Sequence, residues 1–228
     1  DNEVLLRDRV KNSIVLEIGG EKIGIVSALA IDTVDTSSPG DNVIFEDEIQ
    51  ALKADVEELK AKGINKIIAL NHVGLKKDLE IASAVGDIDA VIGGHSHTKM
   101  VNDGKSLAYP KMIGNVPVVQ AYAYSKYVGK LTLTFDKKGR VIYSSGNAFL
   151  IDASVKPDPT LASRIKEMGA PIEKMKNNVV AEASSDIDGD RANCRVRECM
   201  MGNLVADAML DRVSKQGVEI AIQNGGGL

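Results

Sequence analysis

The chain has little of several features, and each shortage excludes a class of protein. No apolar run approaches the roughly 20 residues that a membrane-spanning helix needs. Lysine and arginine alternate with acidic residues, and the formal net charge is −4, which argues against nucleic acid as a partner. Hydrophobic residues make up 44% and charged residues 26% of the 228 positions, which is the composition of a soluble globular protein with a real core.

Both ends of the sequence look cut. The chain does not begin with methionine, and its first residues have no signal-peptide layout. The last residues, 224–228, follow directly on an apolar run. We therefore expect a piece of a longer protein.

Cysteine is scarce. The only two, Cys194 and Cys199, are separated by four residues, which does not match the two-residue spacing of zinc knuckles or redox motifs. A local disulfide that fixes the loop carrying Arg195 and Arg197 is the favoured interpretation. Two reduced thiols, as in a cytosolic protein, are the alternative.

Hydrophobic periodicity predicts alternating strands and helices. Strands are expected over residues 13–18, 22–30, 66–70, 89–92, 116–120, 127–136, 140–145 and 218–223. Helices are expected over residues 46–62, 75–85, 158–175 and 202–214, with an interruption of the third at residues 169–171. Tight turns are expected at residues 19–20 and 136–139, and a domain boundary near residues 155–178.

Histidine is the most informative of the scarce residues. All three histidines lie within 26 residues: His72 follows one predicted strand, and His95 and His97 follow the next. The strand, helix and strand between residues 66 and 92 form a β-α-β unit, which makes parallel strands. Their carboxyl ends meet at the edge where open α/β sheets bind ligands. Imidazole is the commonest metal ligand, so the pattern predicts a metal site. Solvated loop histidines are the alternative, and the clustering argues against it.

No carboxylate accompanies these histidines in the sequence pattern. Asp87 and Asp89 precede the second strand, and Asp78 lies on the helix. Three imidazoles alone can make a zinc site, whereas hydrolytic two-metal sites also share carboxylates. If the site is dinuclear, we expect its remaining ligands and its general acid outside this chain.

A second group of residues points to phosphate. Arg195 and Arg197 each offer a fixed fork of donors that matches a phosphate group. The glycines of residues 224–227 allow the backbone to approach a ligand closely. Taken alone, the arginines are also compatible with a solvated face and the glycines with a simple turn.

Three motifs carry a resemblance to a known family. Residues 93–98 (Gly-Gly-His-Ser-His-Thr), preceded by His72, resemble the last two histidine motifs of the calcineurin-like metallophosphoesterases. Residues 194–209 and 220–227 resemble the start of the 5′-nucleotidase carboxyl-terminal domain. With residues 117–129, the match is to the ecto-5′-nucleotidase, apyrase and UDP-sugar hydrolase family.

This resemblance implies an α/β fold in three parts. Residues 1–155 would be the carboxyl-terminal part of a metallophosphoesterase domain, a partial β-sandwich flanked by helices. Residues 156–177 would form a linker helix, and residues 178–228 the start of a second α/β domain. The early metal-binding motifs, the catalytic histidine and the later base-stacking aromatic pair of the family are absent from these 228 residues.

The resemblance also implies a set of site residues. Two divalent ions, typically zinc, would be held in part by His72 and His95 for one ion and His97 for the other. The substrate-binding residues would be Arg195 for the phosphate and Asn224, Gly225 and Gly226 for the nucleoside. Cys194 and Cys199 would form a disulfide. This chain keeps His97, where vertebrate ecto-enzymes often have asparagine.

The activity implied is metal-dependent hydrolysis of extracellular nucleotides, with a nucleoside 5′-monophosphate split into nucleoside and phosphate. The alternatives are an apyrase or UDP-sugar hydrolase, and a catalytically dead nucleotide-binding homologue. The enzyme would be secreted or GPI-anchored, and a homodimer is left open. Because part of the ligand set is missing, residues 1–228 by themselves are expected to bind metal weakly and to hydrolyse nothing.

Overall fold

The structure is a computed structural model that describes residues 10–37 and 39–227. The chain divides into two compact units, the first ending at Lys156 and the second beginning at Pro157. Each unit is described by itself below. Within the described residues, no helix has the length and apolar character needed to cross a bilayer.

Unit 1 is built on a six-stranded mixed sheet. Its strands are β1 (Ser13–Ile18), β2 (Glu21–Val26), β3 (Ile67–Leu70), β4 (Ala90–Ile92), β5 (Lys111–Ile113) and β6 (Val116–Val119). Their order in the sheet is β1-β2-β3-β4-β6-β5. The four inner strands are parallel, and the two outer strands are antiparallel to their neighbours. The carboxyl ends of β2, β3, β4 and β6 therefore meet at one edge.

Three helices accompany this sheet: α1 (Thr33–Thr36), α2 (Glu48–Ala61) and α3 (Leu75–Ala84). The carboxylate of Asp47 accepts the Gln50 N–H and so caps α2. Gly63, at φ +77°, follows its end. The apolar faces of α2 and α3 and one side of the sheet share a buried core that includes Val26, Leu52, Leu59, Ile67, Ile81 and Val91.

A two-stranded antiparallel ribbon completes unit 1. It consists of β7 (Tyr127–Phe135) and β8 (Val141–Leu150). The Asp136 carboxylate accepts the backbone N–H groups of Lys138 and Arg140, which fixes the predicted turn. The ribbon packs on a small second core around Met100, Tyr109, Val119 and Ala148.

Unit 2 is helical where its structure is regular. It contains α4 (Pro159–Lys176), α5 (Arg191–Cys194) and α6 (Met200–Val213), with 3₁₀ turns at Ser214–Gln216 and Gly225–Gly227. The Asp158 carboxylate accepts the N–H groups of Thr160 and Leu161, and proline occupies the first helical position. Both features are visible in the sequence, which explains why the start of α4 is predicted well.

The α/β class is confirmed, but three local predictions need correction. The helix over Pro159–Lys176 runs through Pro171 without the predicted break. Strand β8 extends to Leu150, beyond the predicted end at residue 145. Residues 218–223 form no strand, and among the described residues no segment pairs with them. A strand needs a hydrogen-bonded neighbour, so β-propensity alone does not create one.

Candidate metal centre and phosphate site

His72 lies at the carboxyl edge of the sheet, directly after β3. Its backbone N–H donates to the Ala28 carbonyl at 2.8 Å, and its carbonyl accepts the Ala30 N–H at 3.0 Å. These bonds continue the parallel pairing of β2 and β3 past the end of both strands. The sheet therefore fixes the backbone of His72 while its side chain stays exposed.

The structure brings His72 and His95 together. Their ring centroids are 5.1 Å apart and the rings are nearly perpendicular. A close backbone approach makes this contact possible: a Cβ placed on Gly94 would lie 3.0 Å from His72 Nδ1. The sequence predicts that the two histidine loops lie at the same edge of the sheet, and the structure places them there. The metal-binding role of both side chains stays a prediction.

His97 faces a different neighbour. Its ring lies 5.3 Å from the ring of Tyr124, in an edge-to-face arrangement. His95 and His97 both hold a left-handed backbone, with φ of 72° and 51°. Residues with a Cβ seldom adopt this conformation, and where it persists it marks a constrained loop.

A carboxylate lies beside the histidines, contrary to the sequence expectation that none shares this edge. The Asp32 Oδ2 atom is 3.4 Å from His95 Nε2. Asp32 follows β2, and β2 pairs in parallel with β3, so the loop after β2 reaches the same edge as His72. The sequence pattern predicts only that β2 pairs with β1 in a hairpin. It does not predict that β2 also pairs with β3.

Asp78 is the second carboxylate that the sequence pattern places away from this edge. It lies on α3, but its side chain is fully buried and turned under the loop that carries His95. A Cβ on Gly93 would overlap the Asp78 carboxylate, so only glycine fits at that position. Asn71 Nδ2 donates to Asp78 Oδ1 at 3.2 Å, whereas Oδ2 has no hydrogen-bond partner within the described residues. Burial raises the pKa of Asp78 to about 6, although the side-chain amides of Asn71 and Gln120 oppose this rise.

The donors present fit part of a metal site. Within the described residues, no three histidine, cysteine, aspartate or glutamate side chains converge closely enough to enclose an ion. His72 and His95 do supply two neighbouring imidazoles, which are suitable donors for zinc. Asp32 adds an oxygen beside one of them. This is an incomplete ligand shell whose chemistry agrees with a divalent transition metal.

Unit 2 brings several of its predicted residues together as well, whereas the Arg197 guanidinium donates to Asn193 Oδ1 at 2.9 Å. Cys194 and Cys199 form a disulfide. A Cβ on Gly225 would overlap the Cys194 carbonyl, and a Cβ on Gly226 would lie 3.7 Å from Arg195 Nη2. The glycine turn therefore packs against the loop that the disulfide closes, and the Arg195 guanidinium lies next to bare backbone. Such an arrangement of a guanidinium and accessible backbone is suited to an anion.

Two residues that hold the histidine loop were not predicted from the sequence. Ser96 lies between His95 and His97, and Gln120 follows β6 at the same edge. The Ser96 hydroxyl accepts the Leu75 N–H, and the Gln120 amide bonds to the Thr98 N–H and the Gly94 carbonyl. The only signal for Gln120 in the sequence was its position directly after an apolar strand, which resembles the position of His72 two residues after β3.

Comparison with known proteins gives the family. The model for the 5′-nucleotidase carboxyl-terminal domain matches residues 179–228. A 5′-nucleotidase of Mus musculus is 40% identical over 94% of this chain and 40% of its own length. A snake venom 5′-nucleotidase of Naja atra is 35% identical over 94% of this chain and 44% of its own length. The crystal structure of a 5′-nucleotidase precursor from Thermus thermophilus is 36% identical with a TM-score of 0.82, covering 99% of this chain and 46% of that one.

The chain spans less than half the length of these relatives. The matches nevertheless run along nearly all of its residues, through both the sheet unit with the histidines and the unit with the disulfide loop. The likeness therefore does not depend on one short motif. Over the residues it contains, this chain matches proteins of the 5′-nucleotidase family, and residues 179–228 match the model of that family's carboxyl-terminal domain.

Proposed function

We propose that this chain is part of a metal-dependent hydrolase that splits extracellular nucleoside 5′-monophosphates into nucleoside and phosphate. The observation that carries the proposal is the His72–His95 pair at the carboxyl edge of the sheet, in a chain 40% identical to a 5′-nucleotidase. Parallel sheets bind ligands at this edge. The alternatives are an apyrase and a UDP-sugar hydrolase, and the test below distinguishes both from a monophosphatase.

In this proposal, His72 and His95 hold one divalent ion and His97 helps to hold a second, with zinc the expected metal because the donors are imidazoles. When bound, the two ions supply Lewis-acid polarisation of the phosphoryl group and lower the pKa of the attacking water. The exposed face of His72 leaves its ring accessible to an ion from solvent. Two hydrogen bonds beneath the loop, from Asn71 to Asp78 and from Gln120 to the Gly94 carbonyl, hold the backbone that carries the histidines in place.

Arg195 would bind the substrate phosphate, and Asn224, Gly225 and Gly226 would line the nucleoside pocket. The nearness of the glycine turn to the guanidinium supports this assignment, because a Cβ on Gly226 would lie 3.7 Å from Arg195 Nη2. A guanidinium presents parallel N–H donors, so it can bind two phosphate oxygens at once. The disulfide limits the motion of the loop, which reduces the entropy lost when the phosphate is bound.

An extracellular setting agrees with two observations. Disulfides persist mainly in oxidising compartments, and this chain has one. One of the similar proteins is a snake venom 5′-nucleotidase. The proposed enzyme is secreted or GPI-anchored at the cell surface.

The test is phosphate release by the full-length protein with Zn²⁺ or Mn²⁺ and with AMP, ADP or UDP-glucose as the substrate. We expect AMP to be hydrolysed fastest. The His72→Ala and His95→Ala variants should lose more than the roughly 10–100-fold that outer-shell changes cost, because each removes a ligand. Gln50→Ala, an exposed change on α2, is the matched control and should keep wild-type activity.

Each alternative predicts a different result. Faster release from ADP or UDP-glucose than from AMP would replace the monophosphatase with an apyrase or a UDP-sugar hydrolase. Nucleotide binding without phosphate release from any of the three would indicate a catalytically dead homologue. Full activity in His72→Ala would show that this histidine holds no essential ion.

A further inference from the structure

The side-chain amide of Gln120 forms hydrogen bonds at both ends of the loop that carries His95 and His97. Gln120 is 2% exposed and follows β6 directly. Its Oε1 accepts the Thr98 N–H at 2.9 Å, and its Nε2 donates to the Gly94 carbonyl at 2.9 Å. One contact lies before the two histidines and the other after them. A single buried amide therefore fixes both ends of the segment.

The segment between these two contacts has an unfavourable backbone. His95 and His97 are both in the left-handed region, where the Cβ is crowded by the backbone. Such residues keep their conformation only when the surrounding structure over-determines it. The amide of Gln120 supplies part of that constraint, because an amide can donate and accept at the same time.

The hydroxyl of Ser96 supplies the rest. It accepts the Leu75 N–H at 3.0 Å, at the first residue of α3. Gly74 precedes this helix and has no side chain that could cap it, so Ser96 satisfies an otherwise free helix donor. Gln120 Nε2 also lies within hydrogen-bond distance of this hydroxyl, at 3.2 Å.

These contacts join the two histidine loops. The loop after β3 runs from His72 to Gly74 and enters α3, and Ser96 binds the first N–H of that helix. A shift of Ser96 would therefore move His95 relative to His72. Metal ligands need to be held within a few tenths of an ångström, and such positions depend on the hydrogen bonds behind them.

We propose that Gln120 and Ser96 are positioning residues, which set the separation of His72 and His95 through the hydrogen bonds of the Gly94–Thr98 loop and so determine metal affinity. The inference rests on the proposed function, since it assumes that these histidines bind an ion. It adds two residues whose own side chains need not touch metal or substrate.

The experiment measures Co²⁺ affinity of the full-length protein by visible absorption with a competing chelator. The variants are Ser96→Ala, Ser96→Thr and Gln120→Met, with Ser154→Ala and Gln50→Met as matched controls outside the loop. Ser96→Ala and Gln120→Met should each weaken Co²⁺ binding about 10–100-fold, as loss of outer-shell partners does. Ser96→Thr keeps the hydroxyl and should restore most of the affinity.

A second readout separates positioning from general stability. The concentration of metal needed for half-maximal phosphate release should rise by the same factor in Ser96→Ala, while the KM for AMP at saturating metal stays within about twofold. The melting temperature of the metal-free protein is recorded for every variant. If Gln120→Met lowers it strongly, Ser96→Ala, at an exposed position, carries the test.

The possible failures are distinguishable. Wild-type protein that binds no Co²⁺ and releases no phosphate would overturn the proposed function and, with it, this inference. Wild-type protein that does both, with Ser96→Ala and Gln120→Met matching the controls in metal affinity, would overturn the positioning roles alone. Equal losses in Ser96→Thr and Ser96→Ala would also contradict the role of the hydroxyl.

Discussion

Replacement of Asp78 by asparagine should change the pH dependence of stability, so that the variant gains on wild type as the pH rises from 4 to 7.5. Asp78 is fully buried, and its Oδ2 atom has no hydrogen-bond partner within the described residues. Burial raises its pKa from 3.8 to about 6, so the folded state holds the proton more tightly than the unfolded state. Its contribution to stability is therefore fully present below about pH 4 and is lost as the pH rises through about 6.

The size of this effect follows from the pKa. Each pKa unit corresponds to about 1.4 kcal/mol, so the rise to about 6 amounts to at most about 3 kcal/mol at pH 7.5. Asparagine keeps the oxygen that accepts the Asn71 bond and carries no charge. Its two amide N–H donors replace Oδ2, which has no hydrogen-bond partner within the described residues, and unpaired buried donors cost about 1–3 kcal/mol at every pH. The free energy of unfolding of Asp78→Asn relative to wild type should thus rise by about 2–3 kcal/mol between pH 4 and pH 7.5.

The assay is urea unfolding of metal-free protein at several pH values between 4 and 8. Asp41→Asn, at an exposed position, is the control and should change the free energy of unfolding by less than about 0.5 kcal/mol throughout. A difference in the free energy of unfolding between Asp78→Asn and wild type that did not rise with pH would refute the raised pKa of Asp78.

Three further variants test the packing under the histidine loop, the turn between β7 and β8, and the disulfide loop. Gly93→Ala places a Cβ on the buried Asp78 carboxylate and should cost about 1–3 kcal/mol in urea unfolding; an unchanged midpoint would contradict the packing. Gly139→Ala forces a side chain into a turn at φ +81° against Asn65, and calorimetry should show a loss of about 1–2 kcal/mol. The double variant Cys194→Ala/Cys199→Ala should raise the KM for AMP more than it lowers kcat, and the reverse pattern would argue against a binding role for the loop.

The sequence predicts those parts of the site that follow from elements adjacent along the chain. A strand, a helix and a strand in succession imply parallel neighbours, and the structure places the His72 and His95 rings 5.1 Å apart on that basis. The turn at residues 19–20 and the cap at Asp158 were equally local and are present. The α/β class followed from the same periodicity.

The missed part depends on contacts between distant segments. Asp32 reaches His95 because β2 has two neighbours, and only the hairpin neighbour was visible from adjacent sequence. Asp78 reaches the site because it is a polar residue on the buried face of α3. An amphipathic pattern predicts apolar residues on that face, so it does not predict this position for an aspartate. Residues 218–223 have the composition of a strand but no pairing segment among the described residues. Propensity cannot supply that partner.

The most direct test of the metal-centre account is a crystal structure of the full-length protein with data collected at the zinc absorption edge. The account predicts anomalous density within about 2.0–2.1 Å of a ring nitrogen of both His72 and His95, and loss of that density in His95→Ala. Zinc bound elsewhere, or no zinc at these two histidines in an enzyme that still hydrolyses AMP, would contradict it.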